Sequence, residues 1–190
     1  MENKHCYIII IILFFLLKVS YSQSESYVKK GVIKSTATIS SSKILSRNLS
    51  PFYIHGLLEY YTEDNVSVAG EGYYYLGDWA DRNSPLGFHH SLFFGANYHW
   101  VKKNNDMYLG FLPGISFTRI NTFMNTLQYK KVSFNPLLGL NIGYNYYVGK
   151  YFHFFIQNKW VFGENINLLP LNLSDFRISA GLGFNLSLLK

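Results

Sequence analysis

His89 and Ser91 are the residues of this 190-residue chain whose types and spacing could support covalent chemistry. One residue apart on a strand, they share a face, and a histidine beside a serine hydroxyl can take its proton and make it a nucleophile toward an acyl ester. Parity, however, puts that face opposite Leu92 and Phe94, on the interior side, where no lipid ester reaches. Spacing also offers no acidic partner, and a triad is recognised by geometry rather than by two neighbouring residues. A polar strand start near the outer rim accounts for the pair. Asp78, Asp81 and Asn83, beside Trp79 and Arg82, bring oxygen donors together that could hold calcium or a sugar. A calcium ion takes about six to eight oxygens, and Pro85 and Gly87 mark this stretch as an ordinary polar loop. His55, His99 and His153 stand singly on different strands, and a metal site would need them to converge at one depth. The glycines form no phosphate-binding loop. They alternate with apolar residues, which marks packing in a narrow interior. The chemistry-bearing residues therefore predict no catalytic residue, no cofactor-binding residue, no metal site and no cofactor.

The elements that would position these residues are strands. Between 132 and 148, Val132, Phe134, Leu138, Leu140, Ile142, Tyr144, Tyr146 and Val148 alternate with Ser133, Asn135, Gly139, Asn141, Gly143 and Asn145. Between 176 and 188, Phe176, Ile178, Ala180, Leu182, Phe184, Leu186 and Leu188 alternate with Arg177, Ser179, Gly181, Gly183, Asn185 and Ser187. A period of two marks a strand with unlike faces. The polar face here is small and almost uncharged, whereas a face washed by water normally carries Lys, Glu and Thr. Such a face suits a cramped polar interior, with the apolar face turned to lipid.

The same reading predicts eight strands, at about 30–44, 52–62, 65–76, 88–101, 106–120, 132–148, 151–163 and 175–188. Tight turns at 62–65, 102–105 and 149–150 alternate with longer connections at 45–51, 77–87, 121–131 and 164–174. In an up-and-down barrel that alternation collects the short turns at one end and the long loops at the other, as outer-membrane barrels do. The stretch Lys34–Ser42, nearly all Ser, Thr and Ala, is the weakest strand, and Asn158 interrupts an otherwise apolar outward row. Pro113 and Pro136 sit within strands and are expected at bulges. Tyr60, Tyr74, Trp100, Tyr108, Tyr146 and Trp160 fall near strand ends, where aromatic belts meet the two membrane interfaces. Parity turns Glu59, Glu71, Lys159 and Arg177 inward as a lumen charge cluster, with Glu59 low, Glu71 and Lys159 at mid-height and Arg177 toward the outer rim. Isolated charges in a poorly hydrated interior are costly, so Glu71 is expected to meet Lys159 or Arg177.

Composition points the same way. Charged residues are 15% of the chain against an ordinary ~25%, and aromatic residues are 18%. The net charge of +6 is scattered rather than striped, so nucleic acid is not expected as a partner. Residues 1–22 read as a signal peptide: the run Ile8–Leu17 is too short to span a bilayer, and Ser20 and Ser22 are small residues ahead of a cut. Cys6 lies before that run, so residues 23–190 form one barrel domain without thiols.

Over roughly residues 28–190 the chain resembles the outer-membrane β-barrel protein family of Gram-negative bacteria, in particular the small eight-stranded OmpA-like and OmpX-like barrels. The patterning, the export segment and the glycine- and asparagine-rich last strands carry the resemblance. It implies an outer-membrane location, with outer-membrane lipid, lipopolysaccharide and the barrel-assembly and export machinery as partners, and it brings no catalytic residues. One departure is the C-terminus: family members usually end on an aromatic residue, whereas this chain ends Leu188-Leu189-Lys190, with Phe184 its last aromatic. The expected fold class is all-β, an eight-stranded antiparallel up-and-down transmembrane barrel, with a structural or surface-interaction role and an interior filled by side chains rather than an open pore. Two alternatives stand beside it. The His89–Ser91 pair resembles the lipid A deacylase barrels, which implies a lipid-modifying enzyme. A soluble lipocalin-like carrier would invert the faces, apolar inside and charged outside.

Overall fold

The period-two pattern folds as strands throughout. The computed structural model describes residues 27–46, 49–79, 86–120, 122–124, 127–129, 132–166 and 172–188. The stretch expected to be an export segment and Asp81, Asn83, Asn125 and Asn167 lie outside them. The strands are β1 (Val32–Ile44), β2 (Pro51–Glu63), β3 (Val66–Asp78), β4 (Leu86–Lys102), β5 (Asn105–Ile120), β6 (Thr122–Met124), β7 (Leu127–Tyr129), β8 (Val132–Tyr147), β9 (Phe152–Gly163) and β10 (Asp175–Ser187). Eight of them close a barrel in the order β1-β10-β9-β8-β5-β4-β3-β2, every pair antiparallel. The expected alternation of short turns and long connections is present. The connection expected as a loop from Asn121 to Lys131 instead carries β6 and β7, paired as a small separate hairpin.

The closing seam explains the weak first strand. β1 pairs with β10 at both ends, but the ladder is interrupted between Thr36↔Gly183 and Ser40↔Ser179. There the hydroxyls stitch the seam: Thr38 Oγ1 donates to the Ala180 carbonyl at 2.7 Å and Ser40 Oγ to the Ile178 carbonyl at 3.1 Å. The Ser/Thr content that obscures β1 in the sequence thus serves its neighbour's backbone.

The prolines do not mark bulges. Pro113 lies opposite Leu138 and Pro136 opposite Ile115 in an unshifted β5–β8 register. The missing proline N–H shows instead on the other side of β5, where the β4–β5 ladder is interrupted between Phe93↔Gly114 and Ala96↔Phe111. The register shifts lie elsewhere, at Phe52/Tyr53, Tyr61/Glu63 and Leu86/Phe88.

The faces divide by parity. Leu58, Leu92, Phe94, Leu109, Phe111, Phe134, Phe154, Ile156 and Leu182 point outward and are exposed. This continuous apolar exterior is the reverse of a soluble carrier barrel, and the arrangement of a barrel solvated by lipid. Tyr60, Tyr74, Trp100, Tyr146 and Trp160 join it as the belt reading expects. Tyr108 does not: it is buried in the interior, its hydroxyl donating to Gln157 Oε1 at 2.8 Å. Its parity, two residues from inward Gly110, overrides its place near a strand end.

Candidate functional site: the charged interior

Among the described residues seven charged side chains are buried inside the barrel: Lys34, Glu59, Glu71, Asp106, Lys159, Asp175 and Arg177. All members of the expected cluster, Glu59, Glu71, Lys159 and Arg177, are among them. They do not form one cluster. They fall into three stacked groups, each with its own partners.

In the middle group Glu71 Oε2 lies 3.1 Å from Lys159 Nζ. Glu71 also accepts from Asn141 Nδ2 at 2.6 Å, Tyr73 OH at 3.0 Å and Gln157 Nε2 at 3.1 Å, and His55 Nε2 stands 3.4 Å away. Lys159 in turn sits 4.2 Å over the Phe93 ring. Of the two cations expected for Glu71, it is Lys159 that reaches it.

Arg177 belongs to the upper group. Its Nε donates to both oxygens of Asp175, at 2.9 and 3.0 Å, and its Nη1 donates to Ser91 Oγ at 2.7 Å. Its guanidinium stacks against Tyr53 and Tyr73, 4.6 and 4.4 Å from the ring centroids. This bond to arginine fixes the role of Ser91. His89 is buried too, but its Nδ1 lies 3.3 Å from Tyr53 OH, and no bond joins His89 to Ser91. The pair that looked like base and nucleophile is therefore divided between a tyrosine and an arginine, facing away from lipid.

Of the charges in the lower group, the sequence named only Glu59, placed low; Lys34 and Asp106 went unseen. Glu59 forms an ion pair with Lys34, accepts from Asn97 Nδ2, and accepts from Ser67 Oγ at 2.5 Å. His99 lies between two carboxylates, Nε2 3.1 Å from Glu59 and Nδ1 2.8 Å from Asp106. Asp106 also accepts from Tyr61 OH at 3.0 Å and Asn145 Nδ2 at 2.8 Å. Ser67 Oγ stands 2.9 Å from His99 Nε2, so Ser67, His99 and Asp106 fall in the order of a catalytic triad. The protonation pattern does not suit one. Carboxylates only accept, so both ring nitrogens of His99 are engaged as donors and no lone pair is left to take a proton from Ser67. Ser67 and His99 are also completely buried.

Parity could have placed Lys34 inward with Thr36, and Asp175 two residues before Arg177 on the same face. The weak pattern of β1 hid the first, and the strand boundary hid the second. With His99 as an imidazolium, four carboxylates meet four cations and the interior is neutral. His55 and His153 join no shared site. His55 stacks on Tyr73 at 4.3 Å, while His153 lies near Tyr147 at 5.4 Å. Among the described residues no group of metal-ligating side chains converges. Asp78 is at the end of β3, where its Oδ1 accepts from the Ser50 N–H at 3.1 Å.

Apolar clusters lie above and below the charges. Val28 and Val32 pack with Tyr61 and Tyr147 at the short-turn end, and Ile44, Leu49, Leu86 and Leu173 pack together at the other. Between them Tyr53, Leu57, Tyr73, Phe93, Leu112, Leu137 and Val161 form a third cluster. The interior is thus less uniformly small and polar than the sequence reading had it.

By sequence, no family model and no curated protein matches the chain. By structure, it is similar to Neisserial surface protein A, with a TM-score of 0.64 at 14% identity over 80% of this chain and 95% of that one. It is also similar to the outer membrane protein OprG from Pseudomonas aeruginosa (TM-score 0.56, 10% identity, 86% of this chain and 100% of that one). A third is Ail, the attachment invasion locus protein of Yersinia pestis (TM-score 0.54, 13% identity, 83% and 99%). At these identities the likeness is one of fold: this chain has the fold of the small eight-stranded outer-membrane barrels.

Proposed function

We propose that this chain is an integral protein of the bacterial outer membrane whose interior is closed by its own side chains, and that its long outer loops act by contact at the cell surface rather than by conduction. The observation that carries the reading is the three-tier packing of the interior. Neutralised charge groups are stacked between apolar clusters at both ends, beneath an exterior that is predominantly apolar. An eight-stranded barrel has room for side chains and little else. Proteins of this fold named for the cell surface and for attachment are in keeping with a contact role. Contact with lipopolysaccharide at the outer rim and passage through the export and assembly machinery belong to the same reading. A lipid-modifying enzyme is disfavoured, because Ser91 is held by Arg177 inside the barrel.

The test is conductance. Purified protein inserted into a planar bilayer should give no stable current steps, and it should migrate differently on a gel before and after boiling. Reproducible unitary currents from the heat-modifiable form would overturn the closed interior.

A further inference from the structure

The short-turn end of the barrel is not electrically uniform around its rim. The turn between β4 and β5 carries Lys102 and Lys103, and the turn between β8 and β9 carries Lys150. These turns are neighbours, because β4, β5, β8 and β9 are consecutive around the barrel. They are also tied together: the Tyr147 N–H donates to the Asn104 carbonyl at 2.8 Å, and Asn104 Nδ2 donates to the Tyr147 carbonyl at 2.9 Å. Lys102 and Lys150 are exposed, and neither forms an ion pair among the described residues. The acids of this end lie on the β2–β3 turn, and Lys30 holds them, its Nζ 2.9 Å from Glu63 and its N–H donating to Asp64 at 2.9 Å. Lys102 and Lys150 therefore meet no carboxylate on their own side among the described residues; Lys29 is a further exposed cation of this end, beside β1.

A second, independent asymmetry falls on the same sector. Tyr98, Trp100, Tyr144, Tyr146 and Tyr151 all point outward just inside these turns. Tyr98 and Trp100 pack edge to face at 5.1 Å, Tyr144 OH donates to Asn105 Oδ1 at 2.5 Å, and Lys150 lies 4.7 Å over the Tyr151 ring. Elsewhere on this rim the outward residues are Ile33 and Leu186 on β1 and β10, and Tyr60 on β2, opposite Ile33, is a single tyrosine against the five aromatic residues of this sector. Tyrosine and tryptophan settle at headgroup depth with the ring in the acyl boundary. Ammonium groups directly beyond them sit where lipid phosphates lie, and the turns are too short to carry them further out.

We propose that this sector, formed by Lys102, Lys150, Trp100 and Tyr146, binds the headgroup of an anionic phospholipid in the leaflet at the short-turn end. The lysines pair with the phosphodiester while the aromatic rings flank the upper acyl chains. The proposal rests on the outer-membrane reading, which makes this the periplasmic leaflet and its lipid a phospholipid. The site would hold one sector of the barrel at a fixed depth and favour an anionic lipid in its annulus.

Tryptophan quenching tests it in the full barrel. Replacing Trp79 and Trp160 by Phe leaves Trp100 as the only indole, since the chain has three. The protein is reconstituted into vesicles mixing phosphatidylcholine with phosphatidylglycerol, with bromine on the acyl chains of one lipid or the other. Each lysine near a membrane surface favours anionic lipid by roughly fivefold. Brominated phosphatidylglycerol should therefore quench Trp100 several-fold more effectively than its bulk fraction predicts, and less so in high salt. In Lys102→Gln/Lys150→Gln the preference should fall at least about fivefold, while Lys43→Gln, at the opposite end, should retain it. Equal quenching by both lipids in the parent, or a preference that survives the double substitution, overturns the site and leaves the membrane reading intact. No quenching by either lipid, in protein that still shifts on boiling, overturns both.

Discussion

Removing one side of the Glu71–Lys159 pair should cost more from one direction than from the other, and the surrounding bonds say which. Glu71 is served by Lys159 at 3.1 Å and by Asn141, Tyr73, Gln157 and His55. With Lys159→Met the carboxylate keeps those donors, and methionine fills most of the space against Phe93. Lys159 has no such reserve, because Glu71 is its one ion-pair partner among the described residues. Glu71→Gln leaves an ammonium in the interior beside an aromatic ring. It also turns an amide NH2 toward Asn141 and Gln157, which already present donors. Breaking a buried pair by removing one partner typically costs about 3–5 kcal/mol, and Glu71→Gln should fall in that range. Lys159→Met should cost about 1–3 kcal/mol, the value of one charge-assisted hydrogen bond. The double variant should cost less than the sum by at least about 1 kcal/mol, the coupling expected of side chains in contact. Urea unfolding in lipid vesicles, followed by tryptophan fluorescence and by gel mobility, gives all of the free energies. Simple additivity, or Lys159→Met proving the more damaging, would refute the assignment of partners.

Inward and outward glycines should differ in tolerance. Gly143→Val would drive its side chain into the Tyr108 ring and should lower stability by about 1–3 kcal/mol, whereas Gly56→Ala, with nothing near its Cβ position, should stay within about 0.5 kcal/mol by urea midpoint. Topology follows from the turns: an impermeant thiol reagent on whole cells should label Asp81→Cys and leave Asn104→Cys unlabelled, and the opposite pattern reverses the orientation. Processing should leave a mature N-terminus at or near Gln23, read by N-terminal sequencing, and an intact Met1 in membrane material would refute the export segment.

Strand number, face assignment and the inward direction of Glu59, Glu71, Lys159 and Arg177 were legible because a period of two is a local property. Any strand long enough declares its own faces, as β8 and β10 do. Partner choice is not local. Glu59 meets Lys34 because β1 and β2 set those residues opposite each other, and that register depends on the whole ring. The same holds for Ser67, His99 and Asp106, which come from three strands and are unremarkable in each. Local cues also misled where two of them competed. Tyr108 has the residue type of the interface belt and the parity of the interior, and parity prevailed because a strand cannot turn one side chain without turning the rest. Pro113 raised the expectation of a bulge, yet β5 keeps its register and loses pairing on one side only.

The glycine-rich inner face has a cause that one strand cannot show. Tyr108 pairs across the ladder with Gly143, Phe93 with Gly114, Leu112 with Gly139, Phe155 with Gly181 and His153 with Gly183. In each case a large inward residue lies directly opposite an inward glycine. At Gly143 and Gly183 the neighbouring ring occupies the place a Cβ would take. At these five pairs each large group is accommodated by an absence next door, whereas at His55 opposite Tyr73 and His99 opposite Tyr108 two flat rings fit at one level by lying against each other. This makes the register steric as well as hydrogen-bonded: a slip of two residues in the β5–β8 ladder keeps every face correct but sets Tyr108 against Asn141 or Asn145 and Leu112 against Leu137 or Asn141 in place of glycine. The small face that suggested a cramped interior is therefore half of a complementary surface. Two of the rings that fit into it lie against the buried cations, Phe93 under Lys159 at 4.2 Å and Tyr108 under Lys34 at 4.9 Å.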